Sequence, residues 1–191
     1  MPKRCASTTP GCKQVGEAGA GTPGRHRAGS PAVAGIAIAA LTLVVDQGHK
    51  WWMLEVFRIG DRGRTEVLPF LDLVLVWNRG ISYGWLQQDS DFGRWALVIV
   101  GFGAAALFAW WLSVTRSRTV ATALGLIIGG AVGNAIDRIV FGAVADFFSF
   151  HAFGFYWYVF NLADAAIVAG VGLLLYDSFR SGRGGPHSQS A

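Results

Sequence analysis

The sequence predicts an all-α membrane bundle of four transmembrane helices, with a small extracytoplasmic sheet between the first and the second. Three observations carry that prediction. Hydrophobic residue types make up 52% of the 191 residues and charged ones only 15%, with a mean hydropathy of +0.41, too apolar for an ordinary soluble domain of this length. Four apolar runs, about residues 32–52, 95–114, 119–141 and 157–176, are each long enough to cross a hydrocarbon core of about 30 Å. In lipid such runs become helices, because helices and closed barrels alone satisfy their own backbone groups. Between the first two runs, LPFLDLVLVWNRGISYGWL (68–86) has alternating, β-branched character broken by NRG and YG, which favours short strands and a turn at the membrane surface.

The elements follow in order. Residues 1–31, rich in Gly, Ala, Pro, Ser and Thr with scattered Lys and Arg, read as a disordered basic cytoplasmic tail. Cys5 and Cys12 lie in it, facing a reducing compartment and without a second pair at metal-ligand spacing, so neither is a site candidate. The first apolar run ends in VVDQGHKWW without a small-residue cleavage site, which predicts a retained helix rather than a removed leader. SVTRSRT, between the second and third runs, is basic, whereas the connection 53–94 dilutes its charges over many residues. Positive-inside counting therefore puts both termini in the cytoplasm, with 179–191 a second cytoplasmic tail. Trp51, Trp52, Trp95 and Trp157 mark the outer interface, and Trp110 and Trp111 the inner one. LGLIIGGAVGN in the third run predicts close helix packing rather than a ligand loop. No internal repeat and no GxGxxG, GxxxxGKS or HExxH pattern is present.

Polar residues of the spans collect near one face. Asp46 and Asn134 each lie about 22 Å along their helices at 1.5 Å per residue, in the outer half. Asp137 and Arg138 follow one turn further out, and Asn161 and Asp164 lie within about 10 Å of the outer start of the fourth helix. Asp46 and Lys50, spaced i, i+4, form a structural ion pair on this reading, and Asp137 has Arg138 beside it. Ser149 and His151 suggest hydrolase chemistry only weakly, having no orienting partner in the sequence. Asp146 and Asp164 stand apart: from Ile139 to Phe179 the chain has neither Lys nor Arg to neutralise them. A charge in apolar surroundings costs several kcal/mol unless compensated, so the two carboxylates must share a proton, face water, or both. A pair holding one proton can act as base and acid together, as in aspartic peptidases. A proton-coupled transporter is the rival reading at this point, although such proteins keep their ionisable residues near the bilayer midplane between repeated halves.

The motifs Asp46-Gln47-Gly48-His49-Lys50, Asn78-Arg79-Gly80-Ile81-Ser82-Tyr83, Gly133-Asn134-Ala135-Ile136-Asp137-Arg138, Val144-Ala145-Asp146-Phe147 and Phe160-Asn161-Leu162-Ala163-Asp164-Ala165-Ala166-Ile167 closely resemble, in order and spacing, those of lipoprotein signal peptidase (signal peptidase II). The resemblance covers about residues 32–178. It implies a four-helix membrane aspartic peptidase of the bacterial inner membrane with an extracytoplasmic β-cradle, here about 66–90. It implies Asp146 and Asp164 as the catalytic pair. Asn78, Asn134, Arg138 and Asn161 match positions lining the substrate groove, and Asp46, Lys50 and Asp137 match positions supporting the site. The expected partners are diacylated prolipoproteins, cut before the lipidated cysteine at the outer leaflet surface, and membrane lipid. Neither a metal, an organic cofactor nor nucleic acid is expected, and the chain is expected to be a monomer. Ser82 and Tyr83 depart from the alanine and phenylalanine usual in the second motif.

Overall fold

The computed structural model describes residues 30–80 and 91–182. The expectations for most of the N-terminal tail, for Cys5 and Cys12, for Ser82 and Tyr83, and for 183–191 lie outside the described residues. Helix α1 (Pro31–Trp51) starts where two local rules agree: the Ser30 hydroxyl accepts the Val33 N–H at 3.3 Å, and Pro31 occupies the first turn, where its missing N–H costs nothing. A π-helical turn (Trp52–Val56) carries α1 four residues beyond the predicted end. A left-handed Arg58 then turns the chain into the short α2 (Ile59–Arg62). Helix α3 (Asp91–Val114) precedes α4 (Arg118–Val140), which opens on a second serine cap, Ser117 Oγ accepting the Val120 N–H at 3.3 Å. Helix α5 (Leu162–Gly182) closes the bundle. Four helices among the described residues are long and apolar enough to cross a membrane: Pro31–Val56, Asp91–Val114, Arg118–Val140 and Leu162–Arg180.

Helix α4 is the centre, packing against α1, α3 and α5. Its glycines make that possible. A Cβ on Gly125 would lie 2.5 Å from the Gly35 carbonyl oxygen, and one on Gly129 would lie 2.6 Å from that of Ala39. One turn further on, a Cβ on Gly133 would fall 2.6 Å from the Asp46 carboxylate. These positions, four apart, form the seam along which α1 touches bare α4 backbone, as the glycine-rich run predicts. Gly130, on another face, does the same for α5 at the Ala163 carbonyl.

The sheet corrects the predicted architecture. Strands β1 (Thr65–Leu68) and β2 (Leu71–Asn78) do come from the connection after α1, but β3 (Val144–Ala152) and β4 (Phe155–Phe160) come from the connection between α4 and α5. The order is β1-β2-β3-β4, antiparallel throughout, and the β2–β3 pairing joins the two connections, with Asn78 opposite Val144 and Val76 opposite Asp146. The fourth span accordingly begins at Leu162 and not at residue 157, and Asp146 sits on a strand rather than in a loop. Hydrophobicity misled here: FYWYVF reads as the start of an apolar helix, yet its aromatic and β-branched residues, after a turn with Gly154 at φ 80°, favour pairing with β3.

A polar knot ties the sheet together. Asp72 on β2 is buried; it accepts from Arg64 at 2.6 Å and meets His151 Nε2 of β3 at 3.1 Å. Arg64 also reaches the buried Ser149 hydroxyl at 3.5 Å and lies 4.7 Å over the Tyr156 ring of β4. His151 therefore has the carboxylate partner the sequence did not reveal, but the Ser149 hydroxyl faces Arg64 from a closed position and serves the sheet.

Gly129→Ala is expected to force α1 away from α4, since its new Cβ meets backbone and the Thr42 Cβ (2.7 Å) rather than a mobile side-chain end. The expected cost is about 1–3 kcal/mol. Gly103→Ala on α3, with nothing within 4 Å, is expected to be neutral or slightly stabilising. Thermal unfolding in detergent compares the two, and equal midpoints would contradict the seam.

Candidate active site

All nine site residues expected from the sequence meet where the C-terminal ends of α1 and α4 and the N-terminal end of α5 approach the sheet, arranged in two layers. The lower layer is built on Lys50, 2% exposed. Its ammonium lies 2.8 Å from Asp46 Oδ2 and 2.7 Å from Asp137 Oδ2, and donates to Asn134 Oδ1 at 3.3 Å. The i, i+4 pair with Asp46 is as expected. Asp137, however, takes Lys50 as its partner and not the neighbouring Arg138. Consecutive residues point about 100° apart on a helix, so Asp137 turns toward α1 while Arg138 turns toward the sheet.

Both lower carboxylates also grip backbone. Asp46 Oδ1 accepts the Ala163 N–H at 3.0 Å, and Asp137 Oδ2 accepts the Ala145 N–H at 3.3 Å. Ala163 directly precedes Asp164, and Ala145 directly precedes Asp146. Each aspartate of the lower layer thus fixes the main chain at one aspartate of the upper layer. Gln47, to which the sequence reading gave no role, completes the layer by donating to Asp137 Oδ1 at 2.9 Å and to the Gly133 carbonyl at 3.3 Å. Its one sequence signal was its place in the Asp46–Lys50 motif.

The upper layer holds Asp146 and Asp164 through amides. Asp146 accepts from Asn161 Nδ2 at 2.6 Å and from Asn78 Nδ2 at 3.1 Å. Asp164 accepts from Asn134 Nδ2 at 2.8 Å. The orientation of Asn134 is forced, because an ammonium can only donate: its oxygen faces Lys50 and its NH2 faces Asp164. Asn161 caps α5. Its oxygen accepts the Asp164 N–H at 3.0 Å while Asp164 Oδ2 accepts the Asn161 N–H at 3.3 Å, a reciprocal capping box that holds Asp164 in the third helical position. Asn-x-x-Asp before an apolar run is the sequence sign of such a helix start. Tyr158, which no local pattern marked, places its hydroxyl 2.7 Å from Asn78 Nδ2. Arg138 bridges the Asn134 and Gly80 carbonyls at 3.1 Å each and so ties α4 to the end of β2.

Burial and charge separate the layers chemically. Asp146 is buried at 1% exposure, and burial, reinforced by the Asp164 charge and opposed by the Asn78 and Asn161 amides, pushes its carboxyl up to about 7. Asp164 is half-buried and lines a largely apolar cavity of about 690 Å³ bounded by Tyr158, Phe160, Ile167 and Val168. A carboxyl that keeps its proton near neutrality beside one that faces an apolar cavity is equipped for paired acid–base chemistry.

Residues 38–180 match the family model for signal peptidase (SPase) II. The chain is 54% identical over 154 residues to the lipoprotein signal peptidase of Nitrobacter hamburgensis, covering 78% of this chain and 94% of that protein. It is likewise 54% identical over 155 residues to the lipoprotein signal peptidase of Methylocella silvestris, covering 81% and 91%. Among solved structures, a bacterial membrane enzyme determined by the in meso method at 2.3 Å resolution superposes with a TM-score of 0.70 at 25% identity, over 83% of this chain and 95% of that one.

Lys50→Met is expected to leave Asp46 and Asp137 buried with no cation between them, at a cost of about 3–5 kcal/mol. Adding Asp46→Asn and Asp137→Asn to the same chain removes the stranded charges and is expected to recover much of that loss. Unfolding midpoints in detergent at fixed pH measure both; a triple variant no more stable than Lys50→Met would show that charge compensation is not what Lys50 supplies.

Proposed function

The chain belongs to the signal peptidase II family, the aspartic peptidases of lipoprotein maturation, and as a multi-pass inner membrane protein it cleaves lipoprotein signal peptides; from that premise we propose that Asp146 and Asp164 are its catalytic pair. One observation carries the assignment. Asp46, Asp72 and Asp137 each lie within 2.8 Å of a Lys or Arg nitrogen, whereas the donors to Asp146 and Asp164 seen among the described residues are amide N–H groups. Amide N–H groups orient a carboxylate and favour its charged form without adding the full positive charge of a contacting cation.

In the proposed reaction the pair holds one proton, resting on the deeply buried Asp146, while Asp164 is the charged member facing the cavity. Asp164 takes a proton from a water whose oxygen attacks the scissile carbonyl carbon, and Asp146 gives its proton to the carbonyl oxygen. As the tetrahedral intermediate collapses, Asp164 returns its proton to the departing amide nitrogen and a hydroxyl of the intermediate restores the proton on Asp146. Asn78, Asn134 and Asn161 hold the two carboxyls in register, and Arg138 joins them in lining the substrate groove. Asp46, Lys50 and Asp137 support the backbone beneath. The substrate is a prolipoprotein carrying a diacylglyceryl-modified cysteine, cut before that cysteine, with the apolar cavity beside Asp164 receiving its membrane-embedded part. With both termini cytoplasmic, this chemistry sits at the outer leaflet, where the lipid anchor and the signal helix hold the bond.

Asp146→Asn and Asp164→Asn are each expected to lower kcat/KM on a diacylated prolipoprotein by about 100- to 10,000-fold while leaving the unfolding midpoint close to wild type. The wild-type rate is expected to fall as pH rises through about 7, where the pair loses its shared proton. Asp46→Asn differs: Lys50 keeps Asp137, so stability drops and the protein that survives retains turnover. Substantial turnover in either upper-layer variant would refute the assignment.

Orientation has its own test. Cysteines at Phe153, on the exposed β3–β4 turn, and at Arg116, between α3 and α4, are expected to differ in intact cells: the first reacts with a membrane-impermeant thiol reagent and the second does not. Labelling at Arg116 would invert the topology.

A further inference from the structure

Away from the aspartate pair, a second cavity of about 440 Å³ opens where α1 gives way to its π-helical turn and α2 folds back against β2. Its walls combine two kinds of surface. Leu54, Leu75, Trp77 and Phe141 are apolar, with the Trp77 and Phe141 rings 5.4 Å apart, while Glu55, Arg58 and Asp61 bring three charges to the same space. Among the described residues none of these three charges forms an ion pair with another residue. Arg62 is no substitute partner, since its Nε donates to the Phe57 carbonyl at 2.7 Å and its guanidinium lies 4.5 Å over the Phe57 ring.

Position in the fold narrows what could fill the cavity. Glu55 is the penultimate residue of the first membrane span, Pro31–Val56, and Phe141 directly follows the third, Arg118–Val140. Both ends lie on one side of the bundle, so the cavity sits at the boundary between hydrocarbon and headgroups. At the same ends of these two spans Val56, Ile139 and Val140 are exposed, offering apolar surface to lipid. A simple anion would meet Arg58 but also two carboxylates, and a simple cation would meet the carboxylates but also the guanidinium. A molecule with a phosphodiester, an adjacent amine and acyl chains satisfies all of these surfaces. Guanidinium is the side chain best matched to phosphate oxygens, carboxylates suit an ammonium, and aromatic faces suit it as well.

We propose that this cavity binds the headgroup of a zwitterionic phospholipid of the outer leaflet, with its phosphodiester on Arg58, its ammonium between Glu55 and Asp61, and an acyl chain against Val56 and Val140. The site is separate from the peptidase chemistry and does not depend on it. It does touch β2 at Trp77, the neighbour of Asn78, so an occupant braces the strand that presents an amide to Asp146.

The experiment titrates the full chain, purified in detergent, with palmitoyl-oleoyl phosphatidylethanolamine, phosphatidylcholine or phosphatidylglycerol and follows thermal unfolding by tryptophan fluorescence. At least one zwitterionic lipid is expected to stabilise at a concentration five- to tenfold below that needed for phosphatidylglycerol. Preference for the ethanolamine lipid would assign the amine to hydrogen bonds with the carboxylates, and preference for choline would assign it to the Trp77 and Phe141 faces. Arg58→Asn, chosen because asparagine tolerates the left-handed backbone at φ 51°, is expected to weaken zwitterionic binding at least fivefold. Glu55→Gln with Asp61→Asn is expected to let phosphatidylglycerol bind as well as the zwitterions. Retained lipid counted by native mass spectrometry provides a second readout should a variant lower the midpoint by itself. Equal stabilisation by all three lipids, or an unchanged preference in Arg58→Asn, would overturn the proposal.

Discussion

One ammonium between two carboxylates organises this molecule. Bringing Lys50 out of water costs several kcal/mol, and so does each of Asp46 and Asp137, so the cluster persists only because contacts of 2.7 and 2.8 Å and the remaining hydrogen bonds repay that cost together. The geometry this demands is restrictive. Helix α1 must lie against bare α4 backbone, which Gly129 and Gly133 permit, and the free lone pairs of both aspartates must find donors. They find them in the main chain at Ala145 and Ala163. The strand carrying Asp146 and the helix carrying Asp164 are therefore both hung from the same ion cluster, although the two aspartates lie 18 positions apart in sequence.

That dependence explains which features were legible in the sequence. The spans follow from length and hydropathy, the Asp46–Lys50 pair from helical spacing, and the glycine seam from composition, all of which are local properties. The partner of Asp137 was not legible, because the nearest cation in sequence, Arg138, points elsewhere, and the true partner lies on another helix. Strand β4 was misread because an apolar aromatic run has no periodicity of its own until β3 is beside it. The split sheet was beyond reach for the same reason: pairing of β2 with β3 is a contact across some 70 residues. Ser149 and His151 have no partner nearby in sequence because Asp72, which anchors His151, comes from the other connection. By contrast, the Asn161–Asp164 capping box is a local pattern, and the apolar run that precedes it masks the helix start it marks.

The two layers follow opposite electrostatic rules, and each needs the other. A structural carboxylate is served by a cation in contact, and Asp46 and Asp137 each have the Lys50 ammonium within 2.8 Å while gripping a backbone N–H. A carboxyl that must exchange a proton near neutrality cannot sit in contact with a cation, which would hold it ionised to low pH. Asparagine resolves the conflict. Asn134 accepts from Lys50 on one side and donates to Asp164 on the other, so the cluster positions the upper carboxyl through a neutral intermediary. Asn161 adds a second neutral link, its Nδ2 donating both to Asn134 Oδ1 and to Asp146 Oδ1. Replacing either amide by an aspartate would add a negative charge to a site already short of cations, and a lysine there would neutralise the pair. At Asn134 the amide accepts from one layer and donates to the other without changing the charge of either.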